Sequence, residues 1–174
     1  MKTLVIVSHP YPNQSTVIQA LQNAVQDLKD VTVRNLESLY GNKTESINIQ
    51  AEQDACNDMD RIVFLYPTHW FNLTPMLKAY LNQVWTYGWA FGPGGEALKG
   101  KELLVVTSAG ASEFTYSHEG LIKSSMEEVL TPLKASALYV GMKYVQPIAF
   151  FEVASADQEK INRFQKTLSD RLAA

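Results

Sequence analysis

The sequence predicts an α/β protein with a doubly wound, five-stranded parallel sheet and helices on both faces. Three observations lead to this fold class. Short apolar runs alternate with helical patterns along the 174 residues, the runs are continuous as in strands buried on both faces, and no repeat or linker interrupts the alternation. We therefore expect one domain that spans residues 1–174.

The first half of the chain is expected to form three strands and two helices. The strands are predicted by three short apolar runs, at residues 4–7, Val31–Asn35 and 62–66. Apolar residues at helical spacing predict helices over 17–30 and Ile49–Cys56. The polar stretch 37–48 is expected to be irregular, and Glu52 is expected to lie on solvated surface.

The second half is expected to add two strands and the remaining helices. The strands are predicted by residues 103–106 and 144–151. Thr74-Pro75 predicts a helix start, because Thr is a favoured N-cap and Pro suits the first helical position. Pro147 is acceptable in the fifth strand if it lies near an edge of the sheet or a strand end. A helical pair interrupted at 131–132 precedes that strand, and Ser155 is expected to cap the last helix.

Composition and charge exclude several classes of function. Hydrophobic residues make up 46% of the chain and charged residues 19%, which is a globular composition. The 15 Lys and Arg residues against 18 Asp and Glu leave no basic excess, so we expect no nucleic-acid partner. One cysteine cannot form an intramolecular disulfide, and the histidines lack ligand-like spacing, so no metal site is expected. Without a signal peptide or a run of about 20 apolar residues, we expect a soluble cytoplasmic protein.

Three loops that follow strands contain the residues of a candidate binding site. Ligands of open parallel sheets bind beyond the carboxyl ends of the strands, where the connections reverse direction. The first loop, 8–16, places His9 and hydroxyl groups before a helix N-terminus, which suits a phosphate. The second, 67–72, offers two adjacent aromatic side chains as a flat wall, and the third, 107–111, has small residues that admit a ligand close to backbone N–H groups. Together they predict a slot for a flat phosphorylated ring.

Each loop also has an ordinary structural interpretation. In that interpretation, Ser15 or Thr16 only caps the helix, Trp70 and Phe71 seal the top of the core, and residues 107–111 form a flexible turn. The sequence contains neither a glycine-rich dinucleotide fingerprint nor a P-loop. The residues therefore leave one binding mode open, in which hydroxyl groups bind a mononucleotide.

Four segments make the chain resemble a known family. They are His9-Pro10-Tyr11-Pro12 with Ser15, Pro67-x-x-Trp70-Phe71-x-x-x-Pro75-x-Leu77-Lys78, Tyr87-Gly88-Trp89-Ala90-Phe91-Gly92, and Thr107-Ser108-Ala109-Gly110. Over nearly its whole length the sequence resembles the flavodoxin-like NAD(P)H:quinone oxidoreductases, the family of DT-diaphorase. Within that family it is most similar to the small bacterial enzymes that include the ancillary flavoprotein of glutathione-regulated potassium efflux.

The resemblance implies an FMN cofactor, NAD(P)H as co-substrate and a quinone-type acceptor. Carried over by position, the cofactor-binding residues are His9, Ser15, Thr16, Val17 and Ile18 at the phosphate, with Pro67, Thr68, His69, Trp70, Phe71, Thr107, Ser108, Ala109 and Gly110 around the ring. FAD is less favoured because the phosphate loop has no feature for an adenylate extension. The family also implies a homodimer whose partner completes the flavin site, and we expect residues 85–91 at that interface because four aromatic side chains there are expected to be exposed.

The chain departs from the family pattern at three places. Ile18 replaces an Asn that is common in the family, so only its backbone is carried over, and Ala109 replaces a Gly of the third loop. DT-diaphorase has a Tyr and a His that relay charge beside the flavin. Tyr116 lies near the Tyr position, whereas the His position falls close to Ile122 and His118 is its neighbour. Tyr116 and His118 are therefore the candidate catalytic residues.

The activity that the resemblance implies is hydride transfer from NAD(P)H to quinones with ping-pong kinetics, because both substrates use one open face of the flavin. Two alternatives remain. A one-electron flavodoxin carrier has a similar fold, but such carriers are typically strongly acidic, whereas this chain has a net charge of −3. A regulatory ancillary subunit that associates with a membrane potassium antiporter is compatible with enzymatic activity.

Overall fold

The computed structural model describes residues 1–174 and contains one parallel β-sheet. Its strands are β1 (Thr3–Val7), β2 (Val31–Asn35), β3 (Arg61–Pro67), β4 (Glu102–Ser108), β5 (Lys143–Tyr144) and β6 (Ile148–Phe150). The order across the sheet is β2-β1-β3-β4-β5, and β6 also pairs with β4. After β1 the chain first forms β2 on one side and then crosses to β3 on the other, which creates a switch point between β1 and β3.

Helices cover both faces of this sheet, as the sequence predicts. They are α1 (Thr16–Val25), α2 (Leu36–Tyr40), α3 (Ile49–Cys56), α4 (Pro75–Val84), α5 (Met126–Val129), α6 (Thr131–Tyr139) and α7 (Gln158–Ala173). Successive residues of β1 point to opposite faces. Val5 and Val7 belong to the core cluster that includes α1 and α7, whereas Leu4 and Ile6 belong to the cluster that includes α3, α4 and α6. None of the helices combines the length and the apolar character needed to cross a membrane.

The fifth strand position is divided into two short strands. β5 pairs with the start of β4, and β6 pairs with its end. Pro147 lies in the gap between them and has no N–H group to donate to β4, so regular pairing is interrupted there. The predicted strand over 144–151 is therefore present in position and direction but broken in the middle.

Several helix boundaries differ from the sequence predictions. The stretch 37–48 is not irregular throughout, because Asn35 accepts a hydrogen bond from Ser38 N–H (3.0 Å) and caps α2. Ser155 does not cap α7; Asp157 does, by accepting from Lys160 N–H at 2.8 Å. The predicted cap of α4 is confirmed, since the Thr74 hydroxyl accepts from the backbone N–H three residues later.

Two residues expected at the surface are buried. Glu52 is fully buried and accepts two hydrogen bonds from the Arg34 guanidinium, at 2.7 and 2.9 Å. Trp85 is only 7% exposed and lies in the core beside Phe64, so the predicted exposed aromatic patch over 85–91 is smaller than expected. Tyr87 is the residue of that stretch that is well exposed. Sequence spacing alone did not reveal that Arg34 and Phe64 would cover these side chains.

Candidate functional site

A cleft of about 410 Å³ opens at the carboxyl ends of the strands, at the switch point of the sheet. Three of the loops that line it are the three that the sequence singled out, and the fourth follows β6. The lining residues are His9, Gln14, Ser15, Thr16, Val17, Ile18, Pro67, Thr68, His69, Ser108, Gly110, Val153 and Ala154. The fold therefore brings the separated loops of the sequence into one site.

One end of the cleft, the phosphate end (residues 8–18), is built from the N-terminus of α1. Its first backbone hydrogen bond runs from Gln19 N–H to the Ser15 carbonyl, at 3.3 Å. The preceding N–H groups, of Thr16, Val17 and Ile18, therefore have no backbone acceptor. The Ser15 hydroxyl is buried and has no hydrogen-bond partner, and the first turn contains no acidic residue. Together these donors form a site for an anion.

His9 adds a neutral donor to this end of the cleft. Its Nδ1 accepts a hydrogen bond from Tyr11 N–H at 2.9 Å, which leaves the ring proton on Nε2. Burial lowers the pKa of His9, and the ring of His69, 5.6 Å away, lowers it further. His9 is therefore a hydrogen-bond donor rather than a permanent cation in the free chain.

The other end of the cleft, the ring end (residues 67–73), begins where β3 ends. Pro67, Thr68 and His69 line the cleft, whereas Trp70 and Phe71 follow on an exposed turn and are not among the lining residues. Trp70 and Phe71 both have left-handed backbones, with φ of 48° and 61°, a conformation that is costly for large side chains. Their backbone N–H groups donate no hydrogen bond within the chain. Trp70 is 92% exposed, so the alternative that it seals the top of the core is wrong. Strained backbone with free donors is typical of a binding site.

The third loop divides its residues between the cleft and the core. Ser108 and Gly110 line the cleft, whereas Thr107 and Ala109 are buried behind it. The Thr68 and Thr107 hydroxyls are 2.7 Å apart, and Thr107 donates to the Tyr66 carbonyl at 2.8 Å. Ala109 N–H donates to a carbonyl of β6 at 2.8 Å. These bonds hold the loop in place, so it is not a free turn.

Tyr116 and His118 occupy different surroundings. Tyr116 is buried, its ring lies 5.9 Å from that of Phe71, and burial raises the pKa of its hydroxyl. Neither Tyr116 nor His118 lines the cleft. His118 is exposed, and its Nε2 lies 2.8 Å from a carboxylate oxygen of Glu128. The structure therefore places Tyr116 beside the ring end and His118 away from it.

Three lining residues were missed by the sequence reasoning. Gln14 precedes Ser15 in the first loop, and Val153 and Ala154 follow β6. The rule that ligands bind beyond the carboxyl ends of strands applies to the fifth strand position as well as to the others. Applied to that position, it would have found the loop after β6.

Comparison with known proteins gives this cleft a context. A family model described as flavodoxin-like fold matches residues 1–172. The chain is 37% identical to the uncharacterized NAD(P)H oxidoreductase YdeQ of Bacillus subtilis, over 98% of this chain and 87% of that protein. It is 36% identical to KefF, the ancillary protein of a glutathione-regulated potassium-efflux system in Salmonella newport, over 98% of this chain and 95% of that protein.

Two solved structures are similar in backbone as well as in sequence. General stress protein 14 of Treponema denticola, solved in complex with FMN, is 35% identical with a TM-score of 0.93 and is covered to 98%, against 99% of this chain. An NADPH-quinone reductase from P. pentosaceus is 26% identical with a TM-score of 0.88, over 98% of this chain and 97% of that one. Both similarities extend over all four loops that line the cleft.

Proposed function

Because the chain belongs to the flavodoxin-like fold family, we propose that it is an FMN-dependent NAD(P)H oxidoreductase that reduces quinones. The observation that carries this proposal is the anion site at the start of α1, beside an exposed turn that offers an apolar wall. The FMN complex of the Treponema relative and the names of the oxidoreductase relatives support it.

The residues of the cleft fit FMN. The buried Ser15 hydroxyl, the free N–H groups of residues 16–18 and the Nε2–H of His9 suit the phosphate. The N–H groups of Trp70 and Phe71 suit the polar edge of the ring, where they would stabilise negative charge. When bound, FMN supplies two-electron hydride chemistry, which the side chains of this protein do not provide by themselves.

We further propose that NAD(P)H and the quinone use the same slot in turn. On this proposal the exposed turn at residues 69–72 leaves one face of the bound flavin open, so the two substrates exclude each other. Tyr116, beside Phe71, is then the group placed to donate a proton to the reduced quinone.

Spectroscopy and steady-state kinetics test this function. The purified protein should absorb as a flavoprotein with about one FMN per chain and oxidise NADH or NADPH with menadione as acceptor. Initial-rate plots at several menadione concentrations should be parallel. FAD in the denatured supernatant, or no flavin after reconstitution, would contradict the cofactor assignment, and intersecting plots would contradict the shared slot.

A homodimer is part of the proposal. Tyr87, in the expected interface stretch 85–91, is 69% exposed, and Trp70 and Phe114, which are close in sequence to the neighbouring rings of Phe71 and Tyr116, are 92% and 68% exposed. Apolar exposure of this kind next to a binding cleft is unusual for a monomer. Light scattering should therefore show a dimer. A fully active monomer would contradict it, because no partner would then be needed to complete the site.

A second function is favoured by one observation, the similarity to KefF over nearly the whole chain. On this proposal the protein is cytoplasmic and also associates with a potassium antiporter. Potassium efflux from cells that express a glutathione-regulated potassium antiporter, with and without this chain, would test it. The two proposals are compatible, because association need not block the cleft.

A further inference from the structure

A buried acidic side chain lies directly behind the phosphate end of the cleft. Glu37 is in the first turn of α2 and is only 7% exposed. It forms no ion pair with Lys, Arg or His. A buried carboxylate without a cation is costly, so the hydrogen bonds that it accepts must offset much of that cost.

Both oxygens of this carboxylate hold the end of β1. Glu37 Oε1 accepts from the Ser8 hydroxyl at 2.8 Å, and Oε2 accepts from His9 N–H at 3.0 Å. The Ser8 hydroxyl also lies 2.5 Å from the Thr74 hydroxyl. Since Ser8 donates to the carboxylate, Thr74 donates to Ser8. One hydrogen-bonded chain therefore connects α2, the phosphate end and the cap of α4.

His9 is fixed from two sides by this arrangement. Its backbone N–H is held by Glu37, and its ring Nδ1 is held by Tyr11 N–H at 2.9 Å. The ring Nε2–H is then the donor that remains for a ligand. Thr74 is the last member of this series of hydrogen bonds. It follows the ring end in the sequence and caps α4.

We propose that Glu37 is a positioning residue of the flavin site, which orients His9 toward the phosphate; the bond from Ser8, itself held by Thr74, keeps the carboxylate in place. This inference rests on the proposed FMN function. Glu37 does not itself line the cleft. Its negative charge is unfavourable for a phosphate nearby, so its contribution comes from the bonds that it accepts and not from its charge.

A comparison of two substitutions separates these contributions. In Glu37→Gln the amide oxygen still accepts from His9 N–H, and the amide group donates to Ser8, whose hydroxyl then donates to Thr74, so the contacts persist without the charge. In Glu37→Ala the buried donors of Ser8 and His9 lose their acceptor. We expect FMN to bind Glu37→Gln within about threefold of the wild type, and Glu37→Ala about tenfold more weakly.

A double-mutant cycle with His9→Ala tests whether Glu37 acts through His9. The dissociation constant of FMN is measured by quenching of flavin fluorescence on the apoprotein. Once the His9 ring is absent, Glu37→Ala should weaken FMN binding by less than about twofold, because the two residues act as one unit. Glu52→Gln is the matched control: it alters another buried carboxylate, bound to Arg34 away from the cleft, and its effect should be the same with or without His9.

Two results would overturn the inference: multiplicative effects of Glu37→Ala and His9→Ala, or wild-type FMN affinity in Glu37→Ala. If Glu37→Ala does not fold, Glu37→Asp serves in the same cycle, because a shorter carboxylate cannot reach both donors. Failure of the wild-type apoprotein to bind FMN would instead overturn the proposed function, so the two failures are distinguishable.

Discussion

The two ends of the cleft are built in opposite ways. At the phosphate end, Ser8 and Ser15 are buried, and Glu37 and the N-terminus of α1 hold the loop from within the chain. At the ring end, Trp70 and Phe71 are exposed on a left-handed backbone, with donors that bond to nothing in the chain. One end is preorganised, whereas the other requires a ligand or a partner to cover it.

On the proposed function, this difference lets one small sheet both hold a cofactor and exchange substrates. A phosphate bound by fixed N–H groups stays in place through many turnovers. An exposed aromatic turn allows flat substrates to arrive and leave on the open side. The affinity for the cofactor should therefore depend on the phosphate end, and turnover should depend on the ring end.

The largest expected effect comes from a negative charge at the phosphate end. Ser15→Asp places a carboxylate at the N-cap of α1, where it stabilises the helix but repels a phosphate. FMN affinity should fall about a hundredfold or more, while the melting temperature stays equal or rises. The neutral Ser15→Asn is the control and should bind FMN within about tenfold of the wild type. Equal binding by Ser15→Asp would show that the phosphate lies elsewhere.

The next largest expected effect is the loss of FMN affinity when the hydrogen-bond donor of the His9 ring is removed. His9→Ala removes a hydrogen bond to a charged group, so FMN affinity should fall by roughly tenfold to a hundredfold. The rate of flavin reduction in protein saturated with FMN should change much less. His118→Ala should leave FMN affinity unchanged, because His118 lies outside the cleft. Unchanged affinity in His9→Ala would mean that its ring does not face the phosphate.

An effect of similar size, on rate and not on affinity, is expected at the ring end. Tyr116→Phe keeps the packing against Phe71 and removes the hydroxyl. Stopped-flow measurement should show a slower quinone half-reaction, by roughly tenfold to a hundredfold, and nearly normal reduction by NAD(P)H. The rate of the quinone half-reaction in His118→Ala is the comparison, because Tyr116 and His118 are the two catalytic residues that the family resemblance implies. A slower quinone step in His118→Ala, with none in Tyr116→Phe, would reverse the assignment.

The smallest effect is on stability. Burial raises the pKa of Glu37, despite the hydrogen bonds from Ser8 and His9. A raised pKa in the folded state means that ionisation opposes folding: the stabilising contribution is present below the unfolded pKa and is lost as the pH rises through the folded pKa. Glu37→Gln should therefore raise the free energy of unfolding at pH 8 and change it much less at pH 4. Urea denaturation at both values, with exposed Glu45→Gln as control, measures this; an equal gain at pH 4 would contradict it.

Much of the fold was predictable because it depends on local patterns. The apolar runs of β1 to β4 and the Thr74-Pro75 start of α4 are visible in the sequence itself. Pro147 was expected to be tolerated within one fifth strand, and the sequence did not predict that this strand divides into two. The burial of Glu52, on α3, was not predictable, because it depends on Arg34, which is eighteen residues away on β2.

The site was predictable in outline and not in detail. The three loops were found because their residues suit a phosphate and a ring, and the family resemblance named the ligand. The role of Glu37 could not be read from the sequence, since its contacts with Ser8 and His9 arise only when β1 and α2 pack together. His118 was named because it is close in sequence to the His position of the family, but the structure places it outside the cleft.

Titration of the apoprotein with FMN and with riboflavin tests the central claim most directly. The two ligands share the ring system and differ at the phosphate, so the comparison isolates the phosphate end. We expect one FMN site per chain and riboflavin binding at least about a hundredfold weaker. Equal affinities for the two ligands, or no binding of either, would contradict the assignment of the α1 N-terminus as the phosphate site of a flavin enzyme.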